Sequence, residues 1–185
     1  VAVTGVQTCA LPISVILTGP KSAEAYFQQL HQFISDSLGF EAQQKYTIIL
    51  DDPEQVARQM YLGTQKILTH RKAVNDAYFF NWNLKINSDF QHPFEPTHEN
   101  MANLKLDPDQ PIHELAANLR RAFSGIVAGN VKETGIYAIE KYGPYKLKGH
   151  PPLMEALDKL LAAFVKQKRM KLPGSEYLPC YEISK

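Results

Sequence analysis

Cysteine is nearly missing from this chain: Cys9 and Cys180 are its two, and neither stands in a CxxC or Cys/His spacing. Two thiols make neither a disulfide framework nor a zinc ligand set, so stability must come from a packed core, and a reducing compartment is the simpler setting. Charge of one sign is equally scarce. The 20 Lys and Arg against 19 Asp and Glu leave a formal net charge of +1, which excludes a surface-wide field for polyanions and confines any anion site to a local cluster. Nothing approaches the roughly 18 to 20 consecutive apolar residues that span a bilayer, and the start shows no basic region leading into an apolar stretch and a small-residue cleavage site. These absences predict a soluble, unsecreted, cytoplasmic protein. A phosphate loop is missing as well. Gly19-Pro20-Lys21-Ser22 imitates one only superficially, because the pattern needs an earlier glycine and a run of backbone amides around the phosphates, and Pro20 removes one amide.

What is present is ordinary globular material: 44% hydrophobic residues over 185 positions, enough for one core or one and a half. Val3 to Ile13, VTGVQTCALPI, looks like translated sequencing adapter and shows no helical or strand period, so residues 1–14 are expected to be non-native. Val15 to Thr18, closed by Gly19-Pro20, reads as a buried strand. A helix follows with Ser22 as N-cap, Tyr26, Phe27, Leu30, Phe33, Ile34 and Leu38 at helical spacing, and Gly39 as stop. Thr47 to Leu50 repeats the strand, and Asp52, Pro53 and Gln55 form a capping-box-like start to a second helix with Val56, Met60, Ile67 and Leu68 on its buried face.

The clearest strand by alternation spans residues 78–86, with Tyr78, Phe80, Trp82, Leu84 and Ile86 on one face. Residues 87–111, with Pro93, Pro96, Pro108 and Pro111 and little periodicity, read as a long ordered loop, and such loops are usually functional or disordered. Helix resumes at Pro111 with Leu115, Leu119, Phe123 and Ile126 on one face, and Gly125 and Gly129 mark a bend, an end or close packing. A further helical stretch runs to Tyr142-Gly143-Pro144, a strand covers Tyr145 to Lys148, and an apolar stripe from Leu153 to Val165 marks the best helix. Tyr181 to Ile183 close the chain as a last strand.

Two polar clusters exceed what folding requires. Within residues 92–100, HPFEPTHEN, two imidazoles, two carboxylates and an amide sit in one loop. Pro93 and Pro96 forbid the helical i, i+4 spacing that brings two histidines onto one ion, so a metal hydrolase built on His92, Glu95, His98 and Glu99 is a weak reading. A structural role, with His98 and Asn100 hydrogen-bonded to backbone, competes evenly with a ligand-facing one. His70-Arg71-Lys72 ends the second helix, where cations suit the macrodipole, yet capping needs only one of the three. Arg120 and Arg121 point about 100° apart, so at most one faces a given site squarely. The Lys166 to Lys171 run reads as a solvated helix end.

These blocks carry a resemblance. Phe80-Asn81-Trp82, FEPTHENMANLKL from Phe94, DQP from Asp109, LRRAFSGIVAGNVKETGI from Leu119, YGPYK from Tyr142 and RMKLPGSEYLPCYEI at the end resemble the carboxy-terminal domain of the pyrimidine/purine nucleotide 5′-monophosphate nucleosidases. ILTGPKSAEAYF from Ile16 resembles the last strand-helix unit of that family's central domain, which is related to the Lonely Guy enzymes. The resemblance implies an α/β fold: residues 15–45 close a Rossmann-like catalytic domain, and residues 46–185 form a smaller α/β (α+β) regulatory or lid domain. It implies hydrolysis of nucleoside monophosphates to ribose 5-phosphate and free base, no cofactor, a homo-oligomer, and a response to guanosine tetra- and pentaphosphate.

It also implies that phosphate binding and the essential acid lie on a PGG-x-GT-x-x-E motif, which occurs nowhere in this sequence. The expectation is therefore a carboxy-terminal fragment, inactive alone, with no catalytic residue of its own. Glu95, His98, Glu99 and Asn100 are its substrate-side candidates, and His70, Arg71 and Lys72 its alarmone-phosphate candidates. The rival is a stand-alone nucleotide- or alarmone-binding module without catalysis.

Overall fold

A computed structural model describes residues 15–73, 92–174 and 176–184. The expectations for residues 1–14 and for the strand at 78–86 lie outside the described residues. The protein is α/β. Strand β1, Val15–Gly19, is followed by a 3-10 turn, Lys21–Ala23, and helix α1, Glu24–Leu38; a short α2, Phe40–Gln43, leads into strand β2, Tyr46–Leu50. The two strands pair in parallel from Val15 with Tyr46 to Gly19 with Leu50, so the pairing runs across the division that sequence suggests between residues 45 and 46. Gly39 ends α1 at φ +80°, with its N–H on the Ser35 carbonyl at 3.0 Å, as the sequence signal required.

The start of α1 differs from expectation. Ser22 is not its N-cap; the Pro20 carbonyl accepts the Ala23 N–H at 2.9 Å, which winds a 3-10 turn first and leaves Ala23 at the cap without a side-chain bond. Helix α3, Pro53–Ala73, begins as predicted: the Gln55 N–H donates to Asp52 Oδ1 at 2.8 Å, and Pro53 takes the position where a missing N–H costs nothing. Its expected buried face is only partly buried. Val56, Ile67 and Leu68 are half-buried, but Met60 is 61% exposed, because no other described element packs extensively on this helix.

The segment read as a loop holds two elements that the sequence hid, α4, His98–Ala102, and the two-residue strand β3, Lys105–Leu106. Neither is long enough to show a period; tertiary contacts hold both. Helix α5, Ile112–Val131, buries Leu115, Leu119, Ala122 and Ile126, and a break at Lys132 leads into α6, Glu133–Tyr142. Gly125 and Gly129 mark close packing, since neither interrupts α5: a Cβ on Gly125 would lie 2.3 Å from Met101 Sδ, and one on Gly129 2.8 Å from Cys180 Sγ. Strand β4, Tyr145–Gly149, helix α7, Pro151–Lys166, and strand β5, Tyr181–Ile183, complete the fold.

Strands β3, β4 and β5 form a parallel sheet in that order, with Lys105 beside Lys148 and Tyr145 beside Tyr181. Alternation sorts β4 cleanly: Tyr145 and Leu147 are buried, while Lys146 and Lys148 are exposed, Lys146 pairing with Glu182 across to β5. The inner face meets α4, α5 and α7 in one core containing Met101, Leu106, Ile126, Leu147, Met154, Leu157 and Leu161. Phe33 and Leu38 of α1 pack against this core, and Tyr26 stacks on Phe164 of α7 at 5.2 Å, so the β1–α1–β2 unit is seated on the second unit through α1 and α7.

Candidate functional site

Pro93 and Pro96 bring the chain extended into α4, and Thr97 stops that extension: its Oγ1 accepts the Asn100 N–H at 3.1 Å and caps the helix. Met101 is then carried under Gly125, where only a hydrogen leaves room for its sulfur. The Tyr145 hydroxyl donates to the Pro96 carbonyl at 3.0 Å and ties the segment to β4. The segment is thus capped within itself and built onto the core at two places, and its remaining groups are held by it.

Those groups divide into two kinds. Asn100 Nδ2 donates to the Glu95 carbonyl at 2.9 Å, and His98 Nε2 lies 2.8 Å from the Gly143 carbonyl. A carbonyl only accepts, so Nε2 carries the proton, and Nδ1 is the nitrogen left for another partner. Both residues therefore do what the structural reading asked of them, fixing backbone across this corner. Glu95 and Glu99 are exposed and enter no ion pair among the described residues. His92 is exposed at the start of the segment, and no three His, Cys, Asp or Glu side chains among the described residues gather as metal ligands.

Around His98 stand residues the sequence reading did not single out. Its ring packs on Tyr145 at 4.7 Å and edge-on to Tyr142 at 5.7 Å. Lys141 Nζ lies 5.0 Å from the Tyr142 ring centre and 5.7 Å from that of Tyr137. Tyr142 is placed by the helix end: Gly143, at φ +81°, returns its N–H to Ile139 at 2.8 Å while offering its carbonyl to His98. The dipeptide Tyr142-Gly143 was the available signal, a large ring immediately before a helix-terminating glycine.

The basic cluster lies on the last turn of α3, away from this corner in sequence. Successive helical residues turn by about 100°, so His70 and Lys72 face nearly opposite ways. His70 and Lys72 are exposed; the Arg71 side chain lies outside what the structure describes. A cleft of about 440 Å³ runs beside Leu62, Gln65, Lys66, Thr69, His70 and Ala73. Lys66, one turn before His70, joins it on that face, and the i, i+4 spacing could have shown this from sequence. A second cleft of about 430 Å³, lined by Phe27, Ile48, Leu50, Glu24 and His31 among others, includes none of the predicted residues. Arg120 is exposed and Arg121 half-buried, its guanidinium donating to Asn118 Oδ1 at 3.2 Å.

Residues 64–184 match the family described as pyrimidine/purine nucleotide monophosphate nucleosidase, C-terminal. The chain belongs to this family. It is 57% identical over 171 residues, 92% of its length, to the pyrimidine/purine nucleotide 5′-monophosphate nucleosidases of Escherichia coli strains K12, O6:H1 and O157:H7. The matched stretch makes up 38% of each relative, so the chain spans well under half of their length.

In this nucleosidase-family domain the end of the chain is fastened by one carboxylate. Asp158 on α7 accepts both the Tyr177 and the Tyr181 hydroxyl at 2.7 Å, which seats the tail and positions β5 against β4. Burial first, then the hydrogen bond to Asp158 and its charge, push both phenols well above their usual range. Cys180 between them is buried, accepts Asn130 Nδ2 at 3.3 Å, and has its thiol pushed up to about 11, chiefly by burial. A thiol held protonated in this way is a packing group, not a nucleophile. No helix among the described residues is long and apolar enough to cross a membrane.

Proposed function

We propose that this chain is the carboxy-terminal part of a cytoplasmic, homo-oligomeric nucleotide 5′-monophosphate nucleosidase that uses no cofactor. Water is added across the bond between ribose C1′ and the base nitrogen: C1′ takes the hydroxyl, the base takes the proton, and ribose 5-phosphate and free base leave. The observation that carries this reading is the 57% identity over nearly the whole chain to proteins named for that substrate class. Phosphate binding and the essential acid belong to a PGG-x-GT-x-x-E segment that these 185 residues do not contain, so the chain by itself releases no base.

Within that enzyme, Glu95, His98, Glu99 and Asn100 form the substrate-facing corner. The two exposed carboxylates accept ribose hydroxyls, while His98 and Asn100 keep the corner in shape and leave Nδ1 of the imidazole for a donor. His70, Arg71 and Lys72 contact the phosphates of guanosine tetra- or pentaphosphate where copies of the chain meet. The opposed directions of His70 and Lys72 at the end of α3 suit a ligand lying between subunits better than one lying along a single helix face. Charge-assisted hydrogen bonds of this kind contribute roughly 1.5 to 3 kcal/mol each.

The test uses the longer enzyme bearing this chain. Glu99→Gln lowers base release and spares alarmone binding, whereas Arg71→Ala with Lys72→Ala abolishes the alarmone response and leaves unstimulated turnover intact. Normal alarmone binding by the double variant would remove the basic cluster from the reading and make Arg120 or Arg121 the next candidate. The alternative, a stand-alone nucleotide- or alarmone-binding module without catalysis, would bind alarmone yet support no base release in any longer form.

A further inference from the structure

Two tyrosines project from the last turns of α6 in a way that folding does not require. Tyr137 is 60% and Tyr142 65% exposed. Scattered exposed aromatics need no explanation, but these two flank one ammonium, and the second is braced edge-on by an imidazole. His98 is itself pinned to the Gly143 carbonyl, and Gly143 ends the helix, so the ring of Tyr142 is held on a rigid corner. Lys141 lies over the ring and forms no ion pair among the described residues. A phenol ring held against an imidazole and attended by a cation offers what a flat, electron-rich heteroaromatic requires.

We propose that Tyr142 is the stacking platform for the base of a nucleoside monophosphate, the base taking the ring face that the Lys141 ammonium leaves open. This rests on the nucleotide reading given above and extends it to residues on α6. It places the base next to His98, the side chain directly before Glu99, so base and ribose meet one continuous corner made by α4 and the end of α6. The hydroxyl of Tyr142 has no required part; the ring alone carries the interaction.

The test measures binding of adenosine monophosphate, and of ribose 5-phosphate as a ligand without a base, to the 185-residue chain and to Tyr142→Phe and Tyr142→Ala. The platform requires that Tyr142→Phe bind adenosine monophosphate like the parent. It also requires that Tyr142→Ala bind at least about fivefold more weakly, the loss expected from removing one stacked ring. Ribose 5-phosphate, which has no base to stack, should show no difference among the three. Thermal midpoints should agree among the three, since Tyr142 is exposed. Equal affinity of Tyr142→Ala and parent for adenosine monophosphate overturns the proposal, as does an unmodified chain that binds no adenosine monophosphate. Base release by the longer enzyme is read separately. If it proceeds and depends on Glu99 while Tyr142→Ala changes nothing, the platform falls and the nucleosidase reading stands.

Discussion

Single residues in this chain show how little chemistry type says about role until neighbours are known. His98 and Asn100 stood out in the sequence because imidazoles and amides in a proline-rich segment are chemically capable. Their observed bonds go to the Gly143 and Glu95 carbonyls, partners that lie 45 and 5 residues away. The first could not have been read from spacing. Asp158 and Cys180 were invisible for the same reason: the carboxylate gains its meaning only when Tyr177 and Tyr181 fold back onto it. This tail cluster makes a pH prediction. The Cys180 thiol and both phenols have folded-state pKa values raised above their unfolded values, so their contribution is fully present at low and neutral pH. It is lost as pH rises past the unfolded thiol value of 9.0 towards about 11, with the two phenols adding to the loss above 10.0. Urea unfolding midpoints should match at about pH 7 and about pH 8 and fall by about pH 10.5, and Tyr177→Phe should reduce the drop because one ionisation is gone. A midpoint that stays level up to about pH 11 would contradict this account of the tail.

Elements were legible in proportion to their length and their caps. The first two strands, the Gly39 stop, the Asp52 and Pro53 start, helix α7 and strand β5 all announce themselves through β-branched runs, helical spacing or capping residues. Helix α4 and strand β3 do not, since 5 and 2 residues are too few for a period and their stability comes from Thr97, Tyr145 and the packing of Met101. Met60 failed for the opposite reason: its spacing was helical, but burial needs a partner, and no other described element covers that side of α3. Helix α3 should therefore be held more by its own backbone and cap than by tertiary packing. Asp52→Ala should cost about 1 kcal/mol locally, read as faster amide hydrogen exchange through the first turns of α3 with little change in the unfolding midpoint of the core. Unchanged exchange there, or an equal loss throughout the core, would show that α3 is locked to the rest of the molecule.

At the scale of the molecule, the α/β class and the family followed from the sequence because long blocks such as FEPTHENMANLKL and LRRAFSGIVAGNVKETGI carry them together. The seating of one unit on the other did not, because it depends on Tyr26, Phe33 and Leu38 meeting α7 and the core, contacts between residues far apart in the chain. Neither did the corner that joins α4 to the end of α6, which exists only once His98 reaches Gly143. The proposed division of labour gives this domain the substrate-facing corner and the alarmone contacts, and gives phosphate binding and the acid to a segment these residues lack. Base release from a nucleoside monophosphate tests this directly, comparing the 185-residue chain alone with the same chain fused behind the preceding part of the Escherichia coli relative. The account predicts no release above a buffer blank from the chain alone and clear release from the fusion. Turnover by the purified chain alone, with host enzyme excluded, would contradict it, as would a folded fusion that releases no base.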